Sequence, residues 1–287
     1  MCRFALYLGE EIPVSALVTE PENSIINQSF HSHERAEPLN GDGFGLAWYV
    51  PTVSEAPAIF KDITPAWNNL NLLNLARVTR SACILAHVRA ASPGLPVIQL
   101  NCHPFAWGPF AFMHNGTVAG FHQVRRAILE RLSDEAFQMI RGTTDSEYVL
   151  ALFADHYLRG GVGQSRVEAM ASALTAAIAE VEALTRAAGI AEPSLLNLAL
   201  SDGTCAVVSR YISHTPEKAN SLYVHAGRRY VCEDGICHMV DPDHPHPGAV
   251  IVASEPLSQD GGWDRVEVNH LVLLHSDLRV DMRPIEI

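Results

Sequence analysis

No stretch of this sequence approaches the roughly 18 uninterrupted apolar residues of a membrane span, although 48% of its 287 residues are hydrophobic. Basic charge is also scarce. Against 32 Asp and Glu stand 20 Lys and Arg, scattered without a run, for a formal net charge of −12. That balance argues against a surface for nucleic acid or an anionic membrane. The N-terminus has no long apolar core with a small-residue cleavage site behind it, so no secretory signal is read there. The six cysteines (Cys2, Cys83, Cys102, Cys205, Cys232, Cys237) are few and widely spaced. In a chain far larger than a disulfide-stapled module, they point to a reducing, cytoplasmic setting. No interior linker, low-complexity stretch or repeat is found, and one domain over residues 2–287 is expected.

What the N-terminus does have is Met1-Cys2-Arg3-Phe4-Ala5-Leu6-Tyr7-Leu8-Gly9, which reads as a strand opening on a cysteine. Removal of Met1, usual before a small second residue, would place the Cys2 thiol beside a free α-amine. Such an amine has an unperturbed pKa of about 7.7 to 8.0. Nucleophile and base would then share one residue.

Further on, Asn40-Gly41-Asp42-Gly43-Phe44-Gly45 leads into the apolar run Leu46–Val50. It is not a phosphate loop, because a strand follows where a helix should. It is either a hairpin turn or a close backbone approach to something bound. A helix is expected near Trp67–Thr79, then a strand Ala82–Val88 running into His87-Val88-Arg89-Ala90-Ala91-Ser92. A second buried-type strand, Phe110–Met113, ends in His114-Asn115-Gly116. Thr144-Asp145-Ser146-Glu147 has the spacing of a helix start with a capping box, with Gly160-Gly161 as its stop. An Ala-rich helix follows over about 164–188, and short strands fill the remainder. Strands, then helices, then strands again indicate an α+β fold with mostly antiparallel sheets.

Four of these elements suit one chemistry. A thiolate attacking an amide carbonyl needs oxyanion donors, which Asn115 and the Gly116 N–H offer. An amino-acid-like substrate needs a cation for its carboxylate and an anion for its ammonium, roles that suit Arg89 and Asp145. Each residue also has an ordinary reading: Arg89 as a surface ion pair, Asn115-Gly116 as a turn, Asp145 as a cap.

Together the elements resemble the class II glutamine amidotransferases, a branch of the N-terminal nucleophile hydrolases. In that family the nucleophile follows the initiator Met, as Cys2 does. Its H-x-R-x-A-Thr/Ser element matches His87 to Ser92, its H-N-G matches His114 to Gly116, and its Ser/Thr-Asp-Ser/Thr-Glu matches Thr144 to Glu147. The resemblance implies a four-layer αββα sandwich with two mostly antiparallel sheets. It also implies catalytic roles for Cys2, Asn115 and Gly116, and substrate binding by Arg89, Asp145, Ser92 and His114. The implied reaction cleaves the γ-glutamyl amide of glutamine or a γ-glutamyl compound through a thioester and needs no metal or organic cofactor. Where many members have Thr-His-Gly, this chain has Ser92-Pro93-Gly94, and it ends too soon for a large ammonia-consuming domain. M-C-R-F, S-I-I-N-Q-S-F, N-G-D-G-F-G and V-A-S-E-P-L (Val252 to Leu257) are closer to stand-alone members. Those include a fungal subunit that cleaves glutathione with a partner peptidase and an amidohydrolase of bacterial ergothioneine synthesis.

Two other readings stay open. One is a non-catalytic γ-glutamyl-binding subunit, or one that works only with a partner protein or as a homo-oligomer. The other is a metal site built from Cys232, Cys237, His238, His244 and His246. The spacing of its cysteines is at the limit for structural zinc, and a polar surface loop explains the segment as well.

Overall fold

The computed structural model describes residues 2–34, 39–92, 94–160, 163–233, 235–242 and 244–287. Met1, residues 35–38, Pro93 and Gly161 are among those that lie outside them. Among the described residues, fourteen strands form two sheets, and every pairing is antiparallel. The first sheet contains β1 (Arg3–Pro13), β2 (Phe44–Trp48), β3 (Ala58–Asp62), β4 (Arg80–Val88), β9 (Tyr223–Glu233), β10 (Ile236–Pro242), β11 (Ala249–Ala253) and β12 (Asp264–Arg265). Its order is β10-β9-β11-β1-β4-β2-β3, with β12 also on β9. The second contains β5 (Phe105–Trp107), β6 (Phe110–Thr117), β7 (Leu195–Ser201), β8 (Ala206–Arg210), β13 (His270–Leu274) and β14 (Val280–Pro284). Here the order is β14-β13-β8-β7-β6-β5.

The near-continuous apolar strands follow from burial on both faces. Along β1, Phe4, Leu6 and Leu8 point toward the second sheet and pack with Met113, Ala199 and Val208. The alternate residues Ala5 and Tyr7 face a helical layer. That layer is α1 (Ser15–Val18), α2 (Ile25–Phe30) and α3 (Leu70–Val78), packed through Leu17, Ile25 and Leu72. On β6 the same alternation sends Ala111 and Met113 between the sheets. It sends Phe110 and Phe112 to the other helices, α4 (Phe121–Leu129), α5 (Asp134–Gln138), α6 (Asp145–Arg159) and α7 (Arg166–Ala187). The result is the expected four-layer αββα sandwich. Among the described residues, no helix is long and apolar enough to cross a membrane.

Two local expectations change. His114-Asn115-Gly116 does not follow its strand but lies within β6, because β7 pairs alongside it as far as Thr117↔Leu195. The segment holding Cys232 to His246 is not all loop: Cys232, Cys237 and His238 lie in β9 and β10, a hairpin that sets Cys232 opposite Cys237, while His244 and His246 follow β10 outside any strand. Those two cysteines, with Cα atoms 4.0 Å apart, form a disulfide. The thiolates that the zinc reading requires are therefore consumed, while Cys2, Cys83, Cys102 and Cys205 remain free.

Candidate active site

The site lies at the end of the sandwich where β1 begins, β4 ends and α6 starts. Cys2, Arg89, Ser92, His114, Gly116 and Asp145 all line one cleft of about 460 Å³. Cys2 is almost wholly buried, and its Sγ lies 3.7 Å from the Ala90 carbonyl oxygen. Burial pushes its thiol above the ordinary cysteine range, opposed by the Ala90 contact and the Arg89 charge.

Arg89 sits one residue past β4 on a backbone fixed by the glycine turn. Its N–H donates to the Gly43 carbonyl at 2.8 Å, and its own carbonyl accepts the Asp42 N–H at 3.0 Å. Asp42 Oδ2 in turn accepts the Ala91 N–H at 2.8 Å. Gly43 has φ +111°, and a Cβ there would meet Asp62 O and Cys102 Sγ, each at 2.7 Å. This close approach accounts for the glycine. The Arg89 guanidinium is buried, and its contacts to the carbonyl oxygens of Asp42 and Pro96 are long, 3.4 Å each. Among the described residues it has no carboxylate partner. A buried, uncompensated cation is costly, and an anionic ligand would relieve that cost.

Across the cleft, Asp145 opens α6. Its Oδ2 accepts the Val118 N–H at 2.7 Å and its Oδ1 the Ser146 N–H at 2.8 Å. With about four acceptor positions on a carboxylate, capacity for an ammonium remains. The capping box does not form. Thr144 is the N-cap residue but makes no side-chain cap bond. The Glu147 carboxylate instead accepts the N–H groups of Arg141 (2.9 Å) and Gly142 (2.6 Å), fixing the turn ahead of the helix.

His114 lines the cleft, but both its ring nitrogens are engaged, Nδ1 with Ser146 Oγ at 3.0 Å and Nε2 with the Leu195 carbonyl at 2.9 Å. It braces α6 against β6 and β7. Asn115, between the cleft-lining His114 and Gly116, is fully buried, its side-chain amide 3.3 Å from Ser254 Oγ. Gly116 is in contact with β7, and any Cβ there would drive into the Leu195 carbonyl oxygen. Gly116→Ala is thus expected to destabilise the protein by about 3 kcal/mol, the upper end for overpacking, measured by urea unfolding.

Several contributors escape a sequence reading. His87 donates from Nε2 to the His114 carbonyl at 3.2 Å, and burial pushes its pKa down to about 3. His103 stacks on it with ring centroids 4.2 Å apart and lines the cleft. Burial and the neighbouring histidines hold the His103 pKa well below its ordinary value, so both rings are neutral. Asn101 ties the 96–101 loop to the approach of α6, donating to Thr143 Oγ1 at 3.0 Å and accepting the Thr143 N–H at 2.9 Å. Arg3 and Glu255, 252 positions apart, form a buried ion pair at 2.6 Å. Arg3 Nη1 also donates to the Cys2 carbonyl at 2.9 Å. His87, Arg3 and Glu255 fall in motifs that gave them no such role, and most of these contacts join distant parts of the chain.

A sandwich of two antiparallel sheets with these elements at one end defines a recognisable class. The family model for glutamine amidotransferases class-II matches residues 20–283, and the chain belongs to that family. It is 38% identical to a probable glutamine amidotransferase, DUG3, of Saccharomyces cerevisiae, over 96% of this chain and 82% of that protein. It is 28% identical to a gamma-glutamyl-hercynylcysteine sulfoxide hydrolase of Mycobacterium tuberculosis, over 95% of this chain and 92% of that one. Among solved structures, a glutamine aminotransferase class-II domain protein from Silicibacter pomeroyi superposes over 100% of both chains, with a TM-score of 0.68 at 26% identity.

Proposed function

We infer that this protein is a cysteine-nucleophile amidohydrolase. It cleaves the γ-glutamyl amide of glutamine or of a γ-glutamyl compound and releases glutamate. The observation that carries the reading is the buried Arg89 guanidinium, which has no counter-ion among the described residues and shares a cleft with the Asp145 carboxylate and the Cys2 thiol. A cation and an anion flanking a nucleophile suit the carboxylate and ammonium of a free α-amino acid end, with the γ-amide at sulfur.

In this mechanism the Cys2 sulfur bonds to the amide carbon and its proton passes to the α-amine exposed when Met1 is removed. The carbonyl electrons move to oxygen, where the Asn115 amide and the Gly116 N–H receive the charge. As the tetrahedral adduct collapses, the carbon–nitrogen bond breaks and the ammonium proton goes to the leaving nitrogen. Water then attacks the γ-glutamyl thioester, with the amine again as base, and glutamate leaves the regenerated thiol. Ser92 contributes its hydroxyl at the substrate carboxylate, and His114 acts by bracing the cleft wall. One domain over 2–287 and a cytoplasmic setting belong to this proposal, and the core shared by the two sheets supports the first.

The test is glutamate release from glutamine, glutathione and γ-glutamyl-hercynylcysteine sulfoxide, using protein shown by intact mass to lack Met1. Cleavage of one of them names the leaving group. Silence on all three would favour a binding subunit or one that needs a partner. Arg89→Lys keeps the charge but loses the two-pronged grip. It is expected to raise KM roughly 10- to 100-fold, the scale of one charged hydrogen bond, with a smaller effect on kcat. Steady-state kinetics on the cleaved substrate would show it.

A further inference from the structure

Ser254, just past β11, comes from the far end of the chain yet touches both arms of the site. Its N–H donates to the Phe4 carbonyl at 2.9 Å, and its Oγ accepts the Phe4 N–H at 3.0 Å. Residue 254 is thus stitched to β1 two residues beyond the nucleophile. Its carbonyl accepts the Ser221 hydroxyl at 2.8 Å, and the residue is fully buried. The same Oγ lies 3.3 Å from the Asn115 side-chain amide.

The two ends of an amide are alike in shape, and hydrogen bonding decides which faces which neighbour. With the nitrogen toward Ser254, the Asn115 oxygen is buried with no partner among the described residues, an arrangement that costs about 1–3 kcal/mol. With the oxygen toward Ser254, the serine hydroxyl donates to it while accepting from Phe4. The serine hydroxyl and the Asn115 oxygen are then both paired, and the Asn115 NH₂ takes the unpartnered position, open to another acceptor. A buried NH₂ beside Gly116, held before the reaction starts, is what a developing oxyanion requires.

We propose that Ser254 is the positioning residue of the oxyanion site. Its hydroxyl donates to Asn115 Oδ1 and accepts from the Phe4 N–H, fixing the Asn115 NH₂ toward the carbonyl that Cys2 attacks. This rests on the γ-glutamyl amidohydrolase reading above. It links the V-A-S-E-P-L segment to chemistry carried out some 250 positions earlier in the chain.

A double-mutant cycle of S254A and N115A, with S254T beside it, tests the assignment on whichever substrate the wild type cleaves. Ser254→Ala should lower kcat roughly 10- to 100-fold, less than outright loss of an oxyanion donor, and leave KM within about twofold. In the N115A background it should cost nothing more, because it acts through Asn115. Ser254→Thr should keep most of the activity, and iodoacetamide should alkylate Cys2 at the wild-type rate throughout. Should S254A fail to fold, S254C takes its place in the cycle. Equal losses in both backgrounds, or S254A as fast as wild type, overturn the proposal while leaving the enzyme assignment intact. A wild type that releases no glutamate overturns the enzyme assignment and this proposal with it.

Discussion

Cys2→Ala should abolish glutamate release, with a loss on the order of 10⁴- to 10⁶-fold, the scale seen when a nucleophile is deleted. The cleft should survive the change, since Arg89 and Asp145 are held by backbone contacts that Cys2 does not share. Glutamate binding, measured by calorimetry, should therefore be nearly unchanged while turnover disappears. Burial pushes the Cys2 thiol above its usual range, so at neutral pH little thiolate is present and a base must act during attack. Protein retaining Met1 lacks the free amine and should fail to the same degree as the alanine variant. The sign of the pH dependence follows from the raised thiol. Alkylation of Cys2 should accelerate as pH rises, with its midpoint above that of a free cysteine. A Cys2→Ala protein that still turns over would place the nucleophile elsewhere and end the mechanism proposed here.

Much of the fold was legible because its signals are local. Phe4, Leu6 and Leu8 alternate with Ala5 and Tyr7, and both sets are apolar because each faces a different buried layer. Arg89, Gly116 and Asp145 could be singled out because each sits in a short motif of chemically suitable residues. Where the reading failed, another backbone partner had overridden the preference read from the sequence. Asn115-Gly116 has turn composition, yet β7 pairs across it and keeps it in a strand. Thr144 and Glu147 have capping-box spacing, but the 141–142 backbone claims the Glu147 carboxylate. The Cys232–Cys237 segment looks like a polar loop until β9 and β10 are set side by side. Asn101 and His103 had no local signal, and V-A-S-E-P-L marked Ser254 without a role, since these roles exist only after the two sheets have closed on each other.

Glu255→Gln should be the most destabilising of the single changes considered, costing about 3–5 kcal/mol, the range for breaking one side of a buried ion pair. Glu255 is fully buried and accepts from Arg3 Nε at 2.6 Å, from the His33 N–H at 2.9 Å and from the Ser32 hydroxyl. Arg3 Nη2 also donates to Ser32 Oγ at 2.8 Å, closing the network. Glutamine keeps the shape but leaves the Arg3 charge buried and uncompensated. Burial alone would raise the Glu255 carboxyl, but the Ser32 hydroxyl, the Arg3 charge and the His33 N–H outweigh it and hold it below its ordinary range. A depressed folded-state pKa contributes stability above the unfolded value of about 4.3 and loses it as pH falls through the folded value. The wild type should therefore lose stability on acidification below about pH 4.3 more steeply than E255Q, so the gap between them narrows. Urea unfolding at pH 7 and pH 4 checks both the size and the sign. A gap below about 1 kcal/mol at pH 7, the size of an exposed pair, would mean that Arg3 finds another partner. Because Arg3 also holds the Cys2 carbonyl, the loss of stability should come with a lower kcat, joining the charge pair to the placement of Cys2.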